Sequence, residues 1–166
     1  MIGNDVIDLF KSRNDSNWQR KGFLSKLFDD DEQLLIAFSR DPEVMVWLLW
    51  SMKEAAYKIW NRETSIRTYC PKKFICSLSI SVGQCIKGMV QLNGNVYYTK
   101  SYLSQDLIHT IAVDVPSNLD LVIEISRTHV FKDSNGLPYC SLSKGEDVRP
   151  ASISNHGRFE RIVTIA

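Results

Sequence analysis

Residues 50–60 read WSMKEAAYKIW. Ala, Met, Trp and Ile dominate the stretch, as in a buried helix, yet it carries Lys53, Glu54 and Lys58. At roughly 100° per residue, Val46, Leu49, Met52, Ala56, Tyr57, Ile59 and Trp60 fill a broad apolar arc. Ser51, Glu54 and Lys58 share a sector of roughly 60°, with Trp47 beside it and Lys53 alone amid the apolar arc. One reading is a half-exposed helix with an i,i+4 Glu–Lys pair, which adds only about 0.2–0.5 kcal/mol. The other is a carboxylate, an ammonium and a hydroxyl on a cleft floor, where the acid holds a hard cation and the lysine neutralises a phosphate. A lone Glu is a poor Mg²⁺ site, so this second reading needs another acid elsewhere in the chain.

The flanking sequence sets the architecture. Asp41-Pro42 breaks one helix and starts the next, predicted to run over 42–61. Before it, DDDEQLLIAFSR (29–40) reads as a helix capped by Asp29 or Asp30, with Asp29-Asp30-Asp31-Glu32 forming its start and a solvated face. MIGNDVIDL reads as a short strand, and KSRNDSNWQRKG (11–22) as irregular or weakly helical. From Lys72 the pattern changes to short runs of β-branched and aromatic residues: KFICSLSISV, IKGMVQL, NVYYTKSYL, HTIAVDV, DLVIEISRTHVF and PYCSLS, then two strands around Asn155-His156-Gly157. Turns such as Leu92-Asn93-Gly94-Asn95 separate them. The expected fold class is α+β, an antiparallel sheet packed with a long central helix. His109 and His129 read as ordinary sheet residues, and Trp47, Trp50 and Trp60 as core.

The chain has 166 residues, which suits one domain spanning 1–166. Its net charge of +1 gives no global field toward nucleic acid or membrane, so neither is expected as a partner. Any polyanionic ligand must be met by a local cluster. Cys70, Cys76, Cys85 and Cys140 form no CxxC pair and read as reduced, mostly buried thiols. The N-terminal stretch lacks the basic and apolar regions of a signal peptide, and cytoplasm is the expected location.

Four blocks, taken together, carry a resemblance. Gly3-Asn4-Asp5-Val6-Ile7-Asp8 resembles a G-x-D strand motif. Trp50-Ser51-Met52-Lys53-Glu54-Ala55-Ala56-Tyr57-Lys58 resembles [FW]-[SA]-x-K-E-[AS]-x-x-K. Asn135-Gly136-Leu137-Pro138-Tyr139 resembles an N-G-K-P-Y turn, and Ser152-Ile153-Ser154-Asn155-His156-Gly157-Arg158-Phe159 an S-[IL]-S-H-x-G-x-[YF] strand and turn. In this order they are similar to the signature of the 4′-phosphopantetheinyl transferase superfamily, in its single-copy, holo-acyl-carrier-protein synthase-like form. The middle of the chain, about 79–125, carries no motif of that family.

The resemblance implies transfer of the phosphopantetheine arm of coenzyme A (CoA) onto a serine of an acyl or peptidyl carrier protein. Adenosine 3′,5′-bisphosphate leaves, and Mg²⁺ sits on the pyrophosphate. Asp5 and Glu54 match the metal ligands and Lys58 the phosphate-contacting lysine. Larger members add a third acid, where this chain has Ile7. Asp8 faces the other side of the strand from Asp5 and is not expected to replace that ligand. Glu54 or a metal-bound water would accept the serine proton. Lys53 either reaches the nucleotide, the reading we favour, or snorkels to solvent. Pro138, Ser154, Asn155, His156 and Lys72 complete the expected CoA contacts. Arg13, Arg20, Lys21 and Lys26 form a basic stretch that offers a carrier docking surface, with plain surface solvation as the alternative.

The departures from the family pattern matter too. Asn155 stands where the family has histidine, with His156 one residue later, and either is a candidate for the CoA phosphates. Leu137 replaces the lysine of the turn. Arg62, Arg67, Lys72 and Lys73 follow the helix instead of a glycine-rich loop and offer a clamp for the CoA 3′-phosphate. These departures also fit a protein that binds CoA or a carrier without turnover. Chain length suggests an oligomer, a homotrimer by analogy with the small members, with CoA between one subunit's helix and a neighbour's C-terminal turn.

Overall fold

A computed structural model describes residues 1–142 and 147–166, and the backbone alone for Ile80, Ser81 and Val82. The long helix is α4, Pro42–Thr64. Asp41 caps it by accepting from the Val44 N–H at 3.1 Å, with Pro42 in the first turn, where its missing N–H costs nothing. It runs one turn beyond the expected end. Thr64 Oγ1 donates to the Trp60 carbonyl at 2.7 Å, and Ser65 closes the helix in the left-handed region.

Helix α4 lies on an antiparallel sheet of five strands: β1 (Ile2–Asp8), β2 (Ile75–Val82), β3 (Cys85–Leu92), β4 (Asn95–Leu103) and β5 (Leu107–Val113), in the order β1-β5-β4-β3-β2. The segment without family motifs therefore builds the body of this sheet. Val46, Leu49, Met52, Ala55, Ala56 and Ile59 bury the helix against it, each at 1% exposure or less. Gly3 is required at the closest approach, because a Cβ there would overlap the Ala55 carbonyl.

The second sheet holds β6 (Val122–Glu124), β7 (Val130–Lys132), β8 (Pro138–Cys140), β9 (Arg149–His156) and β10 (Phe159–Ile165), in the order β6-β10-β9-β8-β7. His129 sits in a 3₁₀ turn rather than a strand, while His109 lies buried in β5. The expected strand run PYCSLS is extended only over Pro138–Cys140, and Ser143 lies outside the described residues. Cys76 and Cys140 are buried, Cys85 is half-buried, Cys70 is exposed, and all four are free.

The two sheets meet where β1 faces β9. The N–H groups of Asn4, Val6 and Asp8 point away from β5 and donate to Ser152 Oγ (2.9 Å), Ser154 Oγ (3.1 Å) and His156 Nδ1 (3.0 Å). Three alternate β9 side chains thus satisfy three alternate β1 donors, and an otherwise open strand edge is closed.

Helices α1 (Leu9–Asp15), α2 (Phe23–Leu27) and α3 (Asp30–Phe38) precede α4. Asp8 caps α1 through the N–H groups of Phe10 and Lys11. Asp29 and Glu32 form a reciprocal capping box on α3. Glu32 was expected on a solvated face and instead is fully buried. Its Oε2 receives the Lys53 ammonium at 2.6 Å, and its Oε1 receives the Cys76 N–H at 2.8 Å. Lys53 Nζ also donates to the carbonyls of Leu27 and Pro71, both at 3.1 Å. The lone lysine of the apolar arc is therefore a buried tie joining α2, α3, α4 and the 71–73 turn.

Breaking a buried pair strands one charge, which costs about 3–5 kcal/mol. Lys53→Met should lower the unfolding free energy by about that amount in denaturant titrations. Lys53→Met/Glu32→Leu should recover most of it, because no buried charge is then left unpaired.

Candidate active site

Asp5 lies mid-strand in β1 and Glu54 and Lys58 lie one turn apart on α4, where β1, β9 and α4 converge. Lys58 Nζ donates to the Asn4 carbonyl at 2.6 Å and the Ile153 carbonyl at 3.2 Å, and stands 3.8 Å from Asp5 Oδ1. Its ammonium is thus shared between the two sheets and the carboxylate. Ser154 Oγ donates to Asp5 Oδ1 at 3.0 Å. Asp5 Oδ2 is buried with no hydrogen-bond partner. Ser51 stands beside Asp5, with its buried hydroxyl outside strict hydrogen-bonding geometry.

Burial dominates the electrostatics. It raises the Asp5 carboxyl above its ordinary value, against the opposing pull of Lys58 and Ser154. Burial, and then the negative charge of Asp5, push the Glu54 carboxyl up to about 7, with Lys58 opposing. Burial also lowers the Lys58 ammonium, while both carboxylates act to raise it. Two acids and one base therefore share a site that is short of positive charge.

Two clefts of similar size flank this cluster. The first, about 330 Å³, has Asp5, Asp15 and Glu54 in its walls and, among the described residues, no Lys or Arg. Phe23, Leu27, Trp47 and Trp50 make it largely apolar, so two tryptophans expected only in the core also line a cleft. The second, about 340 Å³, is lined by Lys58, Arg62, Arg127 and Lys132 and, among the described residues, by no Asp or Glu. Asn155 lines both, so it marks their junction. The site thus places a basic, anion-accepting cleft beside an acidic, apolar one. Among the described residues, no group of three or more His, Cys, Asp or Glu is arranged to hold a metal.

The other expected contacts divide. Alternation along β9 gives Ser152, Ser154 and His156 to β1 and leaves Asn155 exposed at the junction. His156 is committed through Nδ1 to the Asp8 N–H, although its ring also borders the first cleft. Pro138 lines the basic cleft, and its carbonyl accepts from Arg62 Nη2 at 2.8 Å. Lys53 is not brought to either cleft; its ammonium is spent on Glu32, Leu27 and Pro71. Lys72 lines neither cleft and donates to the Ser25 carbonyl. Of the four cations after Lys58, only Arg62 lines the basic cleft. Arg13 is paired with Glu43 at 2.8 Å and Arg20 lies over the Phe23 ring, which itself lines the first cleft. Asp8 does not face the cluster. Arg158 holds its carboxyl below the usual carboxylate range through bonds of 2.8 Å.

A family model described as the 4′-phosphopantetheinyl transferase superfamily matches residues 1–112, which carry β1, α4 and the first sheet. The chain belongs to that superfamily. Membership indicates phosphopantetheinyl transferase activity. A crystal structure of Thermotoga maritima holo-[acyl-carrier-protein] synthase overlays 98% of this chain and 81% of its own, at 12% identity and a TM-score of 0.47. No curated protein matches the chain. The family match stops before β9, so the contribution of Ser154 and Asn155 in this transferase-family chain comes from the geometry. Within the chain, β9 itself meets β1 and α4 through Ser154 and the Ile153 carbonyl. Among the described residues, no helix is long and apolar enough to cross a membrane.

The raised Glu54 value has a sign that can be checked. In the folded chain Glu54 takes up its proton at about pH 7, against 4.5 for the ordinary carboxyl. Between those values the folded state binds more protons than the unfolded one. The associated stability is full below pH 4.5 and is lost as pH rises through 7. Glu54→Gln should therefore flatten the fall of stability over that window, as read by denaturation midpoints at successive pH values.

Proposed function

We propose that the chain, acting as one domain over 1–166, transfers the 4′-phosphopantetheine arm of CoA to a carrier-protein serine with Mg²⁺. The observation that carries this reading is the Asp5, Glu54 and Lys58 cluster at the junction of a cation-lined cleft and an apolar, acidic one. The basic cleft suits the phosphate-bearing nucleotide end of CoA. The apolar cleft suits the uncharged arm and the incoming serine. The basic rim of Arg20, Lys21 and Lys26 suits an acidic carrier surface.

The two carboxylates fit a divalent cation. Asp5 Oδ2 is buried and unpartnered, and the charge of Asp5 raises the proton affinity of Glu54. Asp5 and Glu54 would hold Mg²⁺, which would supply positive charge against the CoA pyrophosphate. Lys58 is positioned to neutralise charge on the departing phosphate. Glu54, in the wall of the cleft that would admit the serine, is placed to accept the serine proton. The serine oxygen forms its bond to the β-phosphorus. The bond from that phosphorus to the bridging oxygen breaks, and the electron pair leaves on adenosine 3′,5′-bisphosphate. Asn155 at the junction offers an uncharged hydrogen-bond donor to the phosphates.

With apo-carrier, CoA and Mg²⁺, the expected result is carrier-dependent release of adenosine 3′,5′-bisphosphate, falling at least ~100-fold in Glu54→Gln. A Glu54→Gln variant that keeps full turnover would remove Glu54 from the mechanism. CoA binding without release, in wild type, would support a binding role instead. Independently of turnover, Mg²⁺ should raise the thermal midpoint of wild type but not of Asp5→Asn.

The contacts of this chain's own β9 with Asp5 and Lys58 support a site carried within one chain. Mixing Glu54→Gln with a Ser154→Ala/Asn155→Ala variant should give no more activity than either alone. Recovery above both would show a site shared between subunits.

A further inference from the structure

Ser154 on β9 makes two contacts with one hydroxyl. Such a group has a single proton to donate and lone pairs with which to accept. Its Oγ accepts the Val6 N–H at 3.1 Å, which leaves its own proton for Asp5 Oδ1 at 3.0 Å. The β1 backbone therefore orients the hydroxyl, and the hydroxyl orients the carboxylate. Ser154 lines neither cleft, so any effect it has on a ligand must pass through Asp5. Ser152 lies two residues earlier on the same face of β9. It accepts the Asn4 N–H at 2.9 Å, and among the described residues its hydroxyl bonds to no carboxylate.

A carboxylate turns about its last torsion in a broad, two-fold well, so something must decide where each oxygen points. Two other groups compete for Asp5. Lys58 Nζ stands 3.8 Å from Oδ1, outside hydrogen-bond reach, and the Ser51 hydroxyl lies beside the carboxylate without strict bonding geometry. Ser154 occupies Oδ1 and leaves Oδ2 buried and unpartnered. A buried acceptor left unpaired is costly unless a ligand satisfies it. We propose that Ser154 is a positioning residue for cation binding: its hydroxyl fixes the Asp5 carboxylate so that Oδ2 stays free for a divalent ion. Without that hydroxyl the carboxylate turns toward Lys58, and the ammonium then competes with the ion. This rests on the reading of Asp5 and Glu54 as cation ligands and adds the residue that orients one of them.

The test titrates Mg²⁺ against the thermal midpoint of the full chain at fixed CoA, with no carrier present. Removing the partner of a ligating carboxylate typically costs about 10- to 100-fold in metal affinity, and Ser154→Ala should show a loss in that range. Ser154→Thr keeps a hydroxyl and should recover most of it. Ser154→Cys, close in size and only a weak donor, should fall between Ala and wild type, and it serves if the Ala variant does not fold. Ser152→Ala removes a backbone tie of the same kind and should stay within about threefold of wild type. Equal losses in the Ser152 and Ser154 variants would make Ser154 only a strand tie and would overturn the proposal. So would an unchanged Mg²⁺ affinity in Ser154→Ala, or a wild type that does not respond to Mg²⁺. In transfer assays the Mg²⁺ concentration for half-maximal rate should rise in Ser154→Ala by the same factor, with the rate at saturating Mg²⁺ little changed. Mg²⁺ binding with the expected dependence on Ser154 but no transfer would support this claim and count against the transferase reading alone.

Discussion

The pairing of β1 backbone donors with β9 side chains is the constraint on which the site depends. Strand β1 bonds β5 through one edge, and its other edge would be left open without Ser152, Ser154 and His156. Those three side chains fix where β9 runs, and Ser154 in addition holds Asp5. Lys58 then spans both strands through the carbonyls of Asn4 and Ile153. Backbone carbonyls hold Lys58 and Ser154 holds Asp5, which gives both little freedom to drift.

That arrangement concentrates opposing charges at low exposure. The acids of one cleft and the cations of the other meet at the Asp5–Lys58 contact. Burial raises the proton affinity of both acids and lowers that of the lysine, so the cluster gains from any added cation or phosphate that restores balance. The Lys53–Glu32 pair shows the contrasting case. There every donor of the ammonium is satisfied, and the pair serves packing between helices.

Much of this was legible in the residues. The polar sector of Ser51, Glu54 and Lys58 pointed to a cleft floor, and Gly3-Asn4-Asp5 supplied the second acid. The switch from helical to alternating patterns near Lys72 marked the α+β layout. Sequence periodicity could not show that Glu32 turns inward, because its partner lies 21 residues away and acids at a helix start are ordinarily solvated. For the same reason Lys53, on the apolar arc, was expected at a nucleotide and is found in the core. The alternation of Ser152, Ser154 and His156 was visible, but its partner strand was not. A tertiary pairing separated by 148 positions leaves no local signal. Arg62 was one of four interchangeable cations until the extension of α4 placed it on the cleft.

The central claim is that this chain moves the phosphopantetheine arm onto a carrier serine. Intact-mass spectrometry of an apo-carrier protein, incubated with the chain, CoA and Mg²⁺, tests it most directly. The account predicts that the carrier gains the mass of one phosphopantetheine arm, on its serine, and gains nothing with the Glu54→Gln variant. A carrier whose mass stays unchanged while the chain binds CoA, under conditions where another transferase modifies that carrier, would contradict it.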